Sequence, residues 1–278
     1  MDQNDSAKLQ KHLASLAYGS RREMEKWIAA GRVEVNGEPA HLGQRVSPGD
    51  RIFIDGKPVS GKPTDRSRVL VYNKPTGIIC TRHDPEGRTT VFDDLPRLSR
   101  GRWISVGRLD IQSAGLLILT NDGALADRMM RPATGLDREY AVRVSGRLED
   151  AEERRLVAGV RIDDELLKFS DLRYYNGRGT NHWYHVVLME GRNREIRRLF
   201  ERAGLTVSRL KRVRFGPVVL PSTLARGRVA ELDYEDLTAL YKLLKLTLQM
   251  QQRPRKKRGK TQSFLLPYPE LRAQGPSD

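Results

Sequence analysis

Hydrophobic spacing along the chain switches between helical and extended patterns, and the switches mark out the elements. Leu9, Leu13, Leu16 and Ala17 form one helical stripe. Gly19 stops that helix, and Ser20 with Glu23 has the form of a capping box for the next. Met24, Trp27 and Ile28 share a face of this second helix, which Gly31 ends. Val33-Glu34-Val35 alternates, Asn36-Gly37 signals a hairpin turn, and residues 51–54 read as a strand after the turn Pro48-Gly49-Asp50. Residues 6–60 are therefore expected to form a module of two helices and a hairpin. The polar, Pro- and Gly-containing stretch 61–67 reads as a linker.

A larger domain is expected over residues 68–248. Short apolar runs at 69–72, 78–81, 103–106 and 116–119 read as strands. Between them, residues 82–102 read as irregular. Residues 124–130 read as a helix closed by Pro132. Tyr140, Val142 and Val144 alternate with Ala141 and Arg143, so one face of that strand is apolar. A helix begins at Glu149-Asp150 and breaks at Gly159; a hairpin over about 160–175, a flexible loop at 176–179 and a strand at 183–189 follow. Ile196, Leu199, Phe200 and Ala203 then make a helical stripe, with Asn193 as expected N-cap and Gly204 just past the end. Arg197 falls about 100° around from Ile196, at the edge of the buried stripe, where it can reach into a cleft. A strand at 207–215 and a helix carrying Leu237, Leu240, Tyr241 and Leu244 complete the domain.

Charge narrows the partners. The 278 residues include 50 Lys and Arg against 35 Asp and Glu, a net charge of +15. Such a field attracts polyanions, nucleic acid first and anionic membrane second. No apolar run reaches about 18 residues, so no spanning helix is expected. The start, Met1-Asp2-Gln3-Asn4-Asp5, is acidic and reads as neither secretory signal nor transit peptide. The single Cys80 excludes an internal disulfide framework, fits a reducing cytoplasm, and sits in an apolar run as a small core residue. Positive charge concentrates in the module at Lys8, Lys11, Arg21, Arg22, Lys26 and Arg32, and again from Arg192 to Arg214. Residues 249–278 hold six positive charges between Arg253 and Lys260, followed by three prolines, and read as a basic, mostly disordered tail.

Few chemistries remain. There is no phosphate-binding P-loop, no dinucleotide fingerprint and no nucleophile elbow. His182 and His185 flank Trp183, but no Cys or carboxylate nearby completes a zinc set, so no metal is expected. The stretch Gly107-Arg108-Leu109-Asp110 leads through Ser113-Ala114-Gly115 into a buried strand. Asp110 is either a turn residue bonding its own backbone or an acid held by a rigid element and still reachable. With Tyr140 at a strand start and Arg197 at a helix edge, it suits a reaction on a nucleobase. Such a base is extruded to be reached, its ring is stacked on an aromatic side chain, and an ionised carboxylate can act as nucleophile. A neighbouring guanidinium favours that ionised form.

Two resemblances carry the reading further. Lys8-Leu9-Gln10-Lys11, Gly19-Ser20-Arg21-Arg22 and Gly31-Arg32-Val33-Glu34-Val35-Asn36-Gly37 resemble the RNA-binding module of the ribosomal protein S-four type, or alpha-L motif. Asn73-Lys74-Pro75-Thr76-Gly77, Gly107-Arg108-Leu109-Asp110, Arg138-Glu139-Tyr140 and the run from Glu190 to Arg198 resemble the pseudouridine synthases of the RsuA and RluB group. Asp84-Pro85-Glu86-Gly87-Arg88, Arg102-Trp103-Ile104 and Asn181-His182-Trp183-Tyr184 place it nearest the RluB branch.

The resemblance implies an α+β protein in which the small module precedes a catalytic domain built on a mixed, largely antiparallel sheet flanked by helices. It implies isomerisation of uridine to pseudouridine in large-subunit (23S) ribosomal RNA, or in an assembly intermediate carrying it. Asp110 would be the nucleophile, Tyr140 the stacking platform, Arg197 the partner of Asp110 and Arg108 the wedge that holds the duplex open. Ile196 and Leu210 would line the pocket, and Lys8, Lys11, Arg21, Arg22 and Arg32 would meet RNA phosphates. No metal or organic cofactor, no membrane and a cytoplasmic, monomeric chain are expected. A non-catalytic ribosome assembly factor is the alternative.

Overall fold

The structure is a computed structural model that describes residues 6–16, 18–60, 66–99, 101–248 and 263–269. In the N-terminal module, β1 (Ala7–Lys8) leads into α1 (Leu9–Ser15) and α2 (Arg21–Ala29). The small strands β2 (Val33–Val35), β3 (Glu38–Pro39), β4 (Arg45–Val46), β5 (Ile52–Ile54) and β6 (Lys57–Pro58) follow. The Ser20–Glu23 capping box forms, with the Glu23 amide donating to Ser20 Oγ at 3.0 Å. Leu9, Leu13, Met24, Ile28, Val33 and Val35 close a core of their own. The first helix is shorter than its stripe predicted: Leu16 is its C-cap, and Ala17 lies outside the described residues.

The second domain is organised by a nine-stranded sheet. Its strands are β7 (Val69–Lys74), β8 (Ile104–Val106), β9 (Ala114–Thr120), β10 (Arg138–Ser145), β13 (Asp171–Arg178), β14 (Asn181–Leu188), β15 (Thr206–Phe215), β16 (Val218–Val219) and β17 (Val229–Glu231). The order across it is β13-β14-β10-β15-β9-β7-β17, with β8 on β9 and β16 on β15. Only the β15–β9 pair is parallel, so the sheet is mixed and largely antiparallel. Helices α3 (Gly123–Met130), α4 (Asp150–Ala158), α5 (Glu195–Arg202) and α6 (Tyr234–Leu243) flank it, and β11 (Val160–Ile162) with β12 (Glu165–Leu167) makes a separate hairpin.

Alternation along β9 divides the core. Leu117 and Leu119 face a cluster with Tyr140, Val142, Ile196 and Phe200. Leu116 and Ile118 face the other side, under Leu125 and Met129 of α3 and Leu237, Leu240 and Tyr241 of α6. One strand thus serves two cores, which is why 116–119 is a continuous apolar run.

Four local expectations are corrected. Residues 78–81 are not a strand; Ile79 makes only an isolated bridge to Thr90, because the main chain here is bound to loops, Gly77 N–H to Ile111 O at 2.8 Å among them. Residues 176–178 belong to β13 rather than to a loop: cross-strand pairing with β14 overrides the local Asn-Gly signal, and a register shift between Tyr174 and Asn176 absorbs the extra residue. Arg194, in the left-handed region at φ 48°, replaces Asn193 as N-cap of α5, with no side-chain cap bond; the Glu195 carboxylate reaches back instead to the Arg192 amide at 3.1 Å.

The fourth correction concerns the C-terminal tail. Residues 263–269 are packed onto the catalytic domain. Phe264 is buried in the α3–α6 core, and its amide donates to Asp236 Oδ2 at 2.7 Å. Val219 N–H donates to Phe264 O at 2.9 Å, and Tyr268 Oη donates to Asp137 Oδ1 at 2.7 Å. Phe264, with Leu265 packed partly against the same core, supplies burial that composition averaged over a basic tail concealed. The Arg253–Lys260 run lies outside the described residues, as do residues 61–65 of the expected linker. Ser67 is already buried against the catalytic domain, and Arg66 O accepts from Asn121 Nδ2 at 2.9 Å.

Candidate active site

Between β8 and β9 the chain leaves the sheet at Gly107, whose backbone is left-handed at φ 76°. Asp110 sits at the apex of this loop, exposed, while its neighbour Leu109 is buried. The loop is fixed from below. Lys74, at the end of β7, is fully buried, and its Nζ donates to Ser113 O at 2.8 Å, Pro75 O at 3.0 Å and Asp110 O at 3.2 Å. Burial pushes its ammonium below the ordinary lysine value, against the opposing pull of Cys80 and Asp110. Ser113 N–H closes the turn on Asp110 O at 3.0 Å. The chain re-enters at Gly115, where φ is 99° and a Cβ would collide with the main-chain oxygen of Arg212 on β15. Only glycine permits that approach of β9 to β15.

Above this loop lies a cleft of about 610 Å³. Asp110, Arg108, Tyr140, Ile196, Arg197 and Leu210 all line it, although they come from four segments of the chain. The strand parity of β10 and β15 explains the convergence. Tyr140 is paired with Arg212, and Val142 with Leu210, so these side chains share the face toward α5. α5 lays Ile196, Leu199 and Phe200 against that face, which leaves Arg197 at the rim.

Arg197 is not in an ion pair with Asp110. Its Nη1 donates to Val207 O at 2.9 Å, and its Nε is buried without a partner among the described residues. Burial lowers its pKa, as does Arg194, while Asp110 acts through space in the other direction. The two charges therefore interact across the cleft without touching.

Three residues were not singled out by the sequence: Lys74 beneath the loop, and Arg212 and Arg138 in the cleft. Lys74 lay inside a recognised motif but carried no assigned role. Arg212 is 2% exposed, donates from Nε to Leu116 O at 2.8 Å, and keeps a buried Nη2 unpartnered among the described residues. Its signal was available, since it shares parity with Leu210 on an alternating strand. Arg138 also lines the cleft and donates to Met189 O at 2.7 Å.

The module's basic residues are all exposed, but they do different things. Lys11, Arg21 and Arg22 line a second cleft, about 460 Å³, that Arg102, Asp127 and other catalytic-domain residues complete. Lys8 is outside that cleft, in register with Arg45. Arg32 lies over the Trp27 ring at 4.3 Å and is held by Asp55 at 2.9 Å. Cys80 accepts from Leu109 N–H at 3.5 Å, and burial pushes its thiol pKa up, as for a packed rather than reactive cysteine. Among the described residues no group of three His, Cys, Asp or Glu could hold a metal ion, and no helix is long and apolar enough to cross a membrane.

Residues 68–202 match the RNA pseudouridylate synthase family, and residues 8–52 match the S4 domain. The chain is 57% identical over 236 residues to the ribosomal large subunit pseudouridine synthase B of Pseudomonas aeruginosa, covering 84% of this chain and 61% of that protein. The Vibrio cholerae protein of the same name is 52% identical, with 87% and 76% covered. That of Escherichia coli K12 is 51% identical, with 87% and 84% covered. The chain belongs to the RNA pseudouridylate synthase family. A crystal structure of a pseudouridylate synthase superposes with a TM-score of 0.59 at 24% identity, covering 84% of this chain and 99% of the other, and so shares its fold. Within this family member, the cleft around Asp110 lies in the matched region except for its β15 wall, which follows Arg202.

Proposed function

We propose that the chain converts uridine to pseudouridine in large-subunit ribosomal RNA, using Asp110 as the catalytic carboxylate. One observation carries this reading: an exposed acid, immobilised at its main chain, faces a cleft walled by an aromatic ring, two apolar side chains and several arginines. The net reaction breaks the bond from ribose C1′ to base N1 and forms one from C1′ to C5. The base turns in place between the two events, N1 gains a proton and C5 loses one. No oxidant, reductant or metal is needed for that balance.

The cleft suits each step. Tyr140 offers a ring face for an extruded uracil, and Ile196 and Leu210 exclude water from its edges. Asp110 assists departure of the base from the sugar, and its fixed loop keeps the carboxylate at the sugar while the base rotates. Arg197 and Arg212, which line the same cleft, put positive charge near the charge that develops. Arg108, exposed beside Asp110, occupies the space the base leaves. The S4-type module adds phosphate contacts through Lys11, Arg21 and Arg22, and the ribosomal substrate places the enzyme in the cytoplasm.

The test is Asp110→Asn with unmodified large-subunit ribosomal RNA. Binding is expected within about threefold of the parent, while pseudouridine falls below detection. Modification that persists in Asp110→Asn would remove Asp110 from the mechanism. A parent protein that binds this RNA but never modifies it would support the assembly-factor reading.

A further inference from the structure

The large sheet is covered on one side from β14 across to β7, and on the other along only part of that width. Under β7 and β9 the second side is closed by α3 and α6. Beyond them, every residue that β10 and β14 send to that side is at least partly open to solvent, whereas Tyr140, Val142, Val144, Tyr184 and Val186 on the opposite side are buried. The bare area is therefore on the reverse of the sheet from the Asp110 cleft.

Its charges are arranged against stability. Arg143 on β10 lies directly opposite Arg209 on β15 and Trp183 on β14. Like charges in directly opposed positions destabilise a sheet. Among the described residues neither arginine is in an ion pair; Arg143 Nε donates only to the Ser208 hydroxyl, at 2.9 Å. Arg178, opposite Asn181 at the strand end, extends the row. The carboxylates on this side are already engaged: Asp171 with Arg173 at 2.8 Å, and Glu139 with Arg214 at 3.0 Å and His185 at 2.7 Å.

Aromatic rings stand between these charges. Tyr175, the extra residue of the β13 irregularity, is 68% exposed, and its ring centroid is 5.6 Å from that of His185. Trp183 is partly exposed beside Arg143. Unpaired guanidinium groups interleaved with exposed rings match a single strand of nucleic acid, whose phosphates take the arginines and whose bases stack on the rings. An acidic protein surface would satisfy the arginines but give the rings no planar partner.

We propose that the open face of β13, β14, β10 and β15 binds an unpaired stretch of the substrate RNA, outside the segment held in the Asp110 cleft. This rests on the reading of the protein as an RNA-modifying enzyme. Because the face and the cleft are on opposite sides of the sheet, a short stem-loop filling the cleft leaves the face empty, and a long RNA reaches both.

The experiment compares the parent, the double variant Arg143→Gln/Arg209→Gln and Tyr175→Ala. Each is measured with an unmodified full-length large-subunit ribosomal RNA transcript and with a short, unmodified stem-loop carrying the target uridine. The double variant is expected to bind the transcript at least tenfold more weakly. The slope of log affinity against log salt should become shallower by about 1.4, two single-strand phosphate contacts. Tyr175→Ala, at a surface position, should weaken transcript binding several-fold without altering that slope, since it removes a ring and no charge. Turnover of the short stem-loop should be unchanged in all three. Unchanged affinity and slope on the transcript for both variants would overturn the proposal, and would do so equally if the true partner is a protein. If the parent makes no pseudouridine in either RNA, the proposed function fails, yet affinity and slope still decide whether the face binds RNA.

Discussion

Lys74 Nζ and the main-chain oxygen of Asp110 are 3.2 Å apart, and the same ammonium reaches Ser113 O at 2.8 Å. The loop that presents the acid is thus tethered by a buried cation whose acceptors are all backbone carbonyls. Such a tether fixes the path of the chain without pairing with the Asp110 carboxylate, which remains free to meet substrate.

Lys74→Met should separate tethering from chemistry. Methionine fills similar volume but leaves buried carbonyls without donors, at roughly 1–3 kcal/mol for each that water cannot reach. Relief from burying the ammonium offsets part of this. We expect a net loss of about 2 kcal/mol, a Tm lower by about 5 °C, and kcat lower by at least tenfold with little change in RNA affinity. Calorimetry and single-turnover assays check it; an unaltered kcat would show that the loop holds its shape without Lys74.

Arg21→Gln/Arg22→Gln should act on binding alone. Both side chains are exposed on the module, away from Asp110. Loss of two duplex phosphate contacts makes the salt dependence shallower by about 1.8 in log–log slope. Turnover at saturating RNA should stay within about twofold. Filter binding across a salt series reads the first quantity, and multiple-turnover kinetics the second.

The Asp137–Arg214–Glu139 cluster predicts a pH signature. Burial pushes both carboxyls up, but the Arg214 bonds, with Tyr268 on Asp137 and His185 on Glu139, overcome it and hold both below their ordinary values of 3.8 and 4.5. A carboxyl with a depressed folded pKa stabilises fully above its unfolded value, and that contribution is lost as pH falls through the folded one. Asp137→Asn should therefore cost about 2 kcal/mol between pH 5 and 7. The gap should narrow below pH 3.8 as wild-type Asp137 is protonated. Urea unfolding at several pH values measures it; a gap that widens in acid would contradict the assignment.

Phe264→Ala tests the docked C-terminal segment. The ring is 8% exposed in the core beneath α3 and α6. Its removal should cost about 3 kcal/mol by lost burial and cavity formation. A freely hanging tail would show no change in thermal stability, and that result would detach residues 263–269 from the domain.

Much of the candidate site was legible in the sequence because the motifs are local. Asp110 precedes a buried strand, Tyr140 opens an alternating one, and Arg197 edges an amphipathic helix; each position follows from spacing over a few residues. Their meeting in one cleft does not follow, since β10 and β15 pair across about seventy residues of sequence. The expected contact of Arg197 with Asp110 failed for that reason: helix periodicity gives a direction, while the Val207 carbonyl that takes the guanidinium is set by how α5 lies on β15.

The sequence by itself determined most of the elements, their apolar faces, the positive charge and the family. These depend on periodicity, turn chemistry and composition, all of which act within a short span of chain. Tertiary structure alone decided that Lys74 is buried under the Asp110 loop and that Arg212 enters the cleft. It alone decided that Phe264 returns to the core and that Arg143 stands against Arg209 on an open sheet face. Each depends on which distant segments become neighbours, and burial or strand register, rather than residue type, then fixes what a charge or ring can do.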